Sequence, residues 1–168
     1  MVEQSNDSNR VMVAFPVSRD TLRGIVGDTW FRPDSAGYAA NAELAATFGV
    51  ETGEETEAAA LQMSDVAGLA AGHAARLVIV ADVPASSVTA SADEPGNGAV
   101  EHTASHPVYV QDCRAFFTGR CDAATAAAAR GLSLDEAWEL PGVQAMLADQ
   151  PLAWHDISEL ADWIQAGG

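Results

Sequence analysis

Residues 77–83 read LVIVADV, and this run constrains the fold more than any other stretch of the chain. Its opening is apolar at successive positions, the pattern of a strand buried on both faces and therefore central in its sheet. Pro84 closes it, because proline has no N–H to continue a ladder. A central strand needs neighbours on both sides, and four further segments supply candidates. Residues 11–17 (VMVAFPV) form a β-rich run near the start. Two short strands are expected over 100–103 and 107–110, and a last one over 152–155. Helical segments separate them. That order predicts an α+β fold: a single mixed β-sheet with helices packed mainly on one face. No internal repeat and no long linker divides the chain. Residues 1–10 (MVEQSNDSNR) read as a disordered tail and 11–166 as a single α+β domain.

The helices announce themselves by their caps. Ser18 can cap a helix carrying Leu22, Ile25 and Val26 as its apolar stripe. Asn41 and Gly49 bracket a short helix over 42–48. Residues 54–71 form the longest helical stretch, with Glu54, Glu55 and Glu57 in the first turn, where the helix dipole favours anions. Asp112 can cap a helix running to residue 130, broken near Gly119. Ser133 with Glu136, and Asp156 with Glu159, have capping-box spacing, the second opening a terminal helix. Between them, Pro141 stops one helix and a short one follows over 143–148. Residues 27–37 and 85–99 read as loops, the first pinned by Trp30 and Phe31.

Composition excludes several classes of function. The formal charge is −16, lysine is absent and all eight bases are arginine. Such a charge opposes direct contact with nucleic acid or an anionic membrane and favours basic partners. No segment approaches the apolar length of a membrane span, and the polar start lacks the apolar core of a signal peptide. Cys113 and Cys121, eight residues apart in an expected helix, would stand about 12 Å apart, too far for a disulfide. Reduced thiols in the cytoplasm are the expectation. Alanine for bulk and arginine for charge are what a GC-rich genome encodes, which suggests an actinobacterial or phage origin.

Several segments, VMVAFPVS, AGYAANAELAATF, EETEAAAL, RLVIVADVPASSVT and LAWHDISELADWI, resemble a family of small acidic actinobacterial proteins classed only as a domain of unknown function. The resemblance spans most of the chain and lapses between Gly96 and Gly131. It implies a cytosolic single domain and carries over no catalytic or binding residue.

Candidate chemistry is sparse. His102 and His106, four apart, are candidate metal ligands with His155 and an aspartate such as Asp82, Asp112 or Asp156 completing a tetrahedral set. Solvated histidines are the plainer reading. Cys113, placed at an expected helix start with His155 as base, has the residue types of a nucleophile, although a small packed side chain is the plainer reading. No phosphate-cradling glycine loop and no serine-hydrolase elbow is present. Trp154 and Trp163 are expected in the core, and Trp30 on a surface. Two long stretches, 33–75 and 131–168, each carry seven acids and no base. If they pack side by side they form one anionic face, with Glu51, Glu54, Glu55, Glu57 and Trp30 as candidate binding residues. The expected function is a non-catalytic interaction or regulatory protein that binds a basic protein surface, with no cofactor. An anionic decoy mimicking nucleic acid and a small metal-dependent hydrolase are the alternatives, and homodimerisation is open on general grounds.

Overall fold

The computed structural model describes residues 9–27, 29–91, 99–102 and 107–167, with backbone alone at 101 and 102. The LVIVADV run lies in β4 (Arg76–Pro84), which pairs over residues 78–84 with β1 (Arg10–Pro16) on one side and over residues 76–81 with β8 (Cys113–Gly119) on the other. β3 (Gly37–Ala39) extends the sheet beyond β1, followed by β6 (Ala99–His102) and the edge strand β5 (Val88–Ala90). β9 (Ala153–Asp156) forms the opposite edge beside β8. The seven strands run in the order β5-β6-β3-β1-β4-β8-β9, and each pairing is antiparallel. A separate ribbon pairs β2 (Trp30–Phe31) with β7 (Val108–Tyr109). The result is an α+β fold in which the sheet is antiparallel rather than mixed. The connections explain this: none of the helical excursions carries the chain to a parallel neighbour.

Alternation along the strands sorts their side chains into two cores. Val13 and Phe15 of β1, Ile79 of β4 and Phe116 of β8 point to one face. There they meet α1 (Arg19–Gly27) through Leu22 and Ile25, and α7 (Leu160–Gln165) through Leu160. The ribbon closes this side, Phe31 packing edge-on to Phe15 with ring centroids 6.2 Å apart. Ala14, Val78 and Val80 point the other way. That face carries the larger helical layer: α2 (Ala42–Phe48), α3 (Glu54–Ala70), α4 (Ala123–Ala129), α5 (Leu134–Trp138) and α6 (Pro141–Asp149). Among the described residues, five of the seven α-helices thus share one side.

Local chemistry sets the helix ends. Leu44 N–H donates to Asn41 Oδ1, and Gly49 takes the left-handed conformation that terminates α2. Ser133 Oγ accepts from Glu136 N–H and donates to Glu136 Oε1, a cap that lacks the backbone arm of a capping box, whereas Asp156 and Glu159 form the full predicted box. Pro141 opens α6 at its first turn instead of ending a helix, where its missing N–H is not needed.

One predicted element is corrected. The stretch 112–130 is a strand followed by a helix, not one helix. The sequence CRAFFTG is rich in aromatic and β-branched residues that suit a pleated surface, and it completes the second edge that β4 requires. Asp122 Oδ1 then accepts from Thr125 N–H to start α4.

Candidate functional site

The two acidic stretches meet in part in the helical layer, while Asp34 accepts a hydrogen bond from Thr21 of α1, and Asp156, Glu159 and Asp162 belong to the segment packed beside α1 on the other face of the sheet. Gly131 N–H donates to Ala70 O at the C-terminal end of α3. From there α5 packs on α3, and Trp138 at its end meets Phe48 at the end of α2, ring centroids 5.8 Å apart and edge-on. The chain then turns from Gly49 through Glu51 into α3. Here Glu51 N–H donates to Glu55 Oε2 and Thr56 Oγ1 donates to Glu51 O, fixing the loop to the first turn. Glu43, Glu51, Glu54, Glu55, Asp135, Glu136 and Glu139 are all exposed on this unit, and Glu57 is half-buried. Neither stretch contains a lysine or arginine. Asp65 belongs to the first stretch but not to its surface: it is 1% exposed and paired at 2.7 Å with Arg76, also 1% exposed.

That buried pair anchors the layer to the sheet. Arg76 Nε and Nη2 donate to the Asp65 carboxylate, while Nη1 donates to Arg120 O and Gln150 O. One guanidinium therefore ties α3, the end of β8 and the segment entering β9. Burial holds the Asp65 carboxyl above its ordinary value against the opposing pull of Arg76.

Beside this anchor a cleft of about 410 Å³ opens between α3 and the sheet. Glu54, Glu57, Ala58 and Leu61 line one wall, the i, i+3, i+4, i+7 stripe of a single helical face. Val80, Ala115 and Phe117 form the floor and Trp154 the rim. Arg114 reaches into it because the β4–β8 pairing shifts register between Val80 and Ala81, so that Val80 faces Ala115 while Ala81 faces Cys113. The extra residue is Arg114, and the bulge turns it to the helical side. Its Nη1 lies 3.5 Å from Glu57 Oε1 and its Nε 3.5 Å from Asp82 Oδ2.

Trp154 is 61% exposed, contrary to the expected core position. Strand alternation turns it to the same face as Phe117, its register partner. β9 is the last strand, however, and the helical layer does not extend over it. Trp163 does pack inward, edge-on to Phe116 at 5.7 Å. Trp30 lies in the ribbon rather than in a loop and faces Tyr109 across it. These two and Val26 are 42%, 45% and 45% exposed. Tyr109 and Val26 line a second groove, about 510 Å³, between α1 and α7. Trp30 is therefore remote from the four glutamates in the fold, on the opposite side of the sheet.

Among the described residues, His155 stands far from the backbone of His102. β6 and β9 are five places apart in the sheet, about 24 Å at ordinary strand spacing, which separates the His102 backbone from His155. The His102 side chain and His106 lie outside the described residues. His155 stacks on Phe116 at 4.7 Å and shares a 2.9 Å hydrogen bond with Thr118 Oγ1. Among the described residues no cluster of three metal-ligating side chains occurs. Cys113 opens β8 instead of a helix; burial and the neighbouring Asp112 push its thiol up to about 12, the reverse of nucleophile activation. Asp112 pairs with Arg10 at 3.2 Å.

Charge patterning made the acidic stretches visible in the sequence, and cap chemistry placed Glu54 and Glu57 in a helix start. Arg114 was missed, and Trp154 was expected in the core instead of at the rim of a cleft. A bulge and an uncovered edge leave no trace in periodicity, although the two aromatics of FFT beside an arginine mark β8 as a strand whose two faces differ.

Among the described residues no helix is long and apolar enough to cross a membrane. No curated protein and no solved structure matches the chain. A family model does match, over residues 10–164, from the first residue of β1 nearly to the end of α7. The chain belongs to this family, which is one of unknown function (DUF6912).

Proposed function

We propose that this is a non-catalytic acidic protein of the cytoplasm that binds a basic surface on another protein, with the layer of α2, α3 and α5 as its contact face. The observation that carries the reading is the packing of α5 on α3, which brings the carboxylates of residues 43–57 and 135–139, from two base-free stretches, into one layer. Surface carboxylates contribute little to folding, while a field of one sign steers an oppositely charged partner and suppresses others. The raised Cys113 thiol and the distance between the His102 backbone and His155 give the reading further support over hydrolysis.

The test is capture of partners from a lysate of the encoding organism, using the whole chain and a variant with Glu43→Gln, Glu55→Gln and Glu136→Gln. The expected result is a stoichiometric basic partner that the variant loses and that high salt releases. A partner retained equally by both proteins, or no stoichiometric partner, counts against the proposal. The same face favours a narrower second reading, a decoy that occupies a nucleic-acid groove. It requires that the captured partner bind nucleic acid and that the acidic chain displace it.

A further inference from the structure

We infer that the cleft between α3 and β9 receives an arginine or lysine side chain of the basic partner, the stem lying over Phe117 and the cation held between Glu54 and the face of Trp154. This rests on the reading that the partner is basic, and it names where one of its side chains is bound. Three carboxylates, Glu54, Glu57 and Asp82, surround the mouth or its immediate edge against one guanidinium, that of Arg114. The balance is anionic while the floor of Val80, Ala115 and Phe117 is apolar. Long cationic side chains match such a site, since they bury an aliphatic stem and keep a charged tip at a polar edge. Arg114 is the chain's own precedent: the cleft already holds one guanidinium between two carboxylates. Among the described residues Glu54, one turn before Glu57 on the same stripe, makes no ion pair, which leaves its carboxylate for an incoming cation. Trp154 contributes an exposed ring, the strongest aromatic partner for a cation. The positive N-terminal end of the α3 dipole disfavours a cation there, but Glu54, Glu55 and Glu57 in the first turn outweigh it.

The experiment titrates a labelled hexa-arginine peptide into the whole chain at low ionic strength and reads fluorescence anisotropy. The Trp154 indole N–H resonance, assigned by its loss in Trp154→Phe, is followed in parallel. Trp154→Ala and Glu54→Gln alter exposed side chains, so both variants are expected to fold. Each is expected to weaken binding about threefold or more. Glu43→Gln and Glu136→Gln, on the same layer but away from the cleft, are expected to change it by less than about twofold. The Trp154 resonance should shift as the peptide binds. Peptide binding that is unchanged in Trp154→Ala and Glu54→Gln, with the indole resonance unmoved, overturns the cleft assignment and leaves the basic-partner reading intact. Absence of peptide binding also overturns it, whatever the lysate capture returns.

Discussion

Gly119 stands opposite Arg76 in the β4–β8 pairing, and a Cβ on Gly119 would lie 2.9 Å from the guanidinium carbon and 2.8 Å from Leu152 Cδ2. The missing side chain lets Arg76 pass close to β8 and reach Arg120 O and Gln150 O. Gly119→Ala therefore forces either the strand or the guanidinium aside. A loss of about 1–3 kcal/mol is expected, the usual cost of overpacking. Urea unfolding measures it, and a midpoint equal to that of the parent chain would show that the close approach carries no strain.

The buried pair itself behaves differently under single and double substitution. Arg76→Met leaves the Asp65 carboxylate and two carbonyls without their donor, and about 3–5 kcal/mol is expected to be lost. Adding Asp65→Leu removes the stranded carboxylate and replaces it with apolar volume, so part of the loss should return. The double-mutant cycle is the check. If the two losses simply add, the residues are not coupled as their 2.7 Å contact implies.

Acid sensitivity should concentrate at two helix caps. The Asp122 carboxyl is held below its ordinary value by hydrogen bonds from Thr125, and that of Asp156 by hydrogen bonds from Ser158. A carboxyl with a lowered folded value adds stability above its unfolded value, and that stability is lost as the pH falls through the folded one. The affected window thus lies at and below the ordinary aspartate range, about pH 4. Asn keeps an acceptor at a cap without titrating. Asp122→Asn with Asp156→Asn should melt more nearly independently of pH across that window than the parent chain. Parallel pH profiles of the two melting temperatures would refute the assignment.

These particulars show which signals the sequence carries. Asn41, Ser133 and Asp156 act on backbone groups within four residues, so their helices can be placed from local spacing alone. The LVIVADV run identifies its strand as central because burial on two faces needs apolar residues on two faces. The strand Cys113–Gly119 is set by partners far along the chain, β4 and β9, and no local rule overrides the alanine-rich helix that follows it. Arg114 depends on one register shift, and the exposure of Trp154 depends on where the helical layer ends. Both are properties of assembled elements. The acidic surface was partly legible: the stretches were evident in composition, but only packing shows that α5 lies on α3 and that Asp65 leaves the surface for Arg76.

Cysteine reactivity gives a further check on the corrected strand. Cys113 opens β8 and Cys121 lies two residues beyond its far end, so the length of the strand, roughly 20 Å, stands between them and no disulfide links them. Cys113 is buried, with its thiol raised to about 12 by burial and by Asp112. Its Sγ also contacts Tyr109 O at 3.5 Å. Cys121 is only half-buried, and its thiol too is raised, first by burial and then by Asp122. The thiolate is the reacting species, so both cysteines should label more slowly than a free thiol at mildly alkaline pH. Cys121 should nevertheless be modified in the folded chain, while Cys113 reacts only when urea opens the sheet. Mass spectrometry of peptides after brief alkylation distinguishes the two sites. Labelling of Cys113 at the rate of Cys121 in the folded protein would place it on an accessible helix start, and the strand assignment would be wrong.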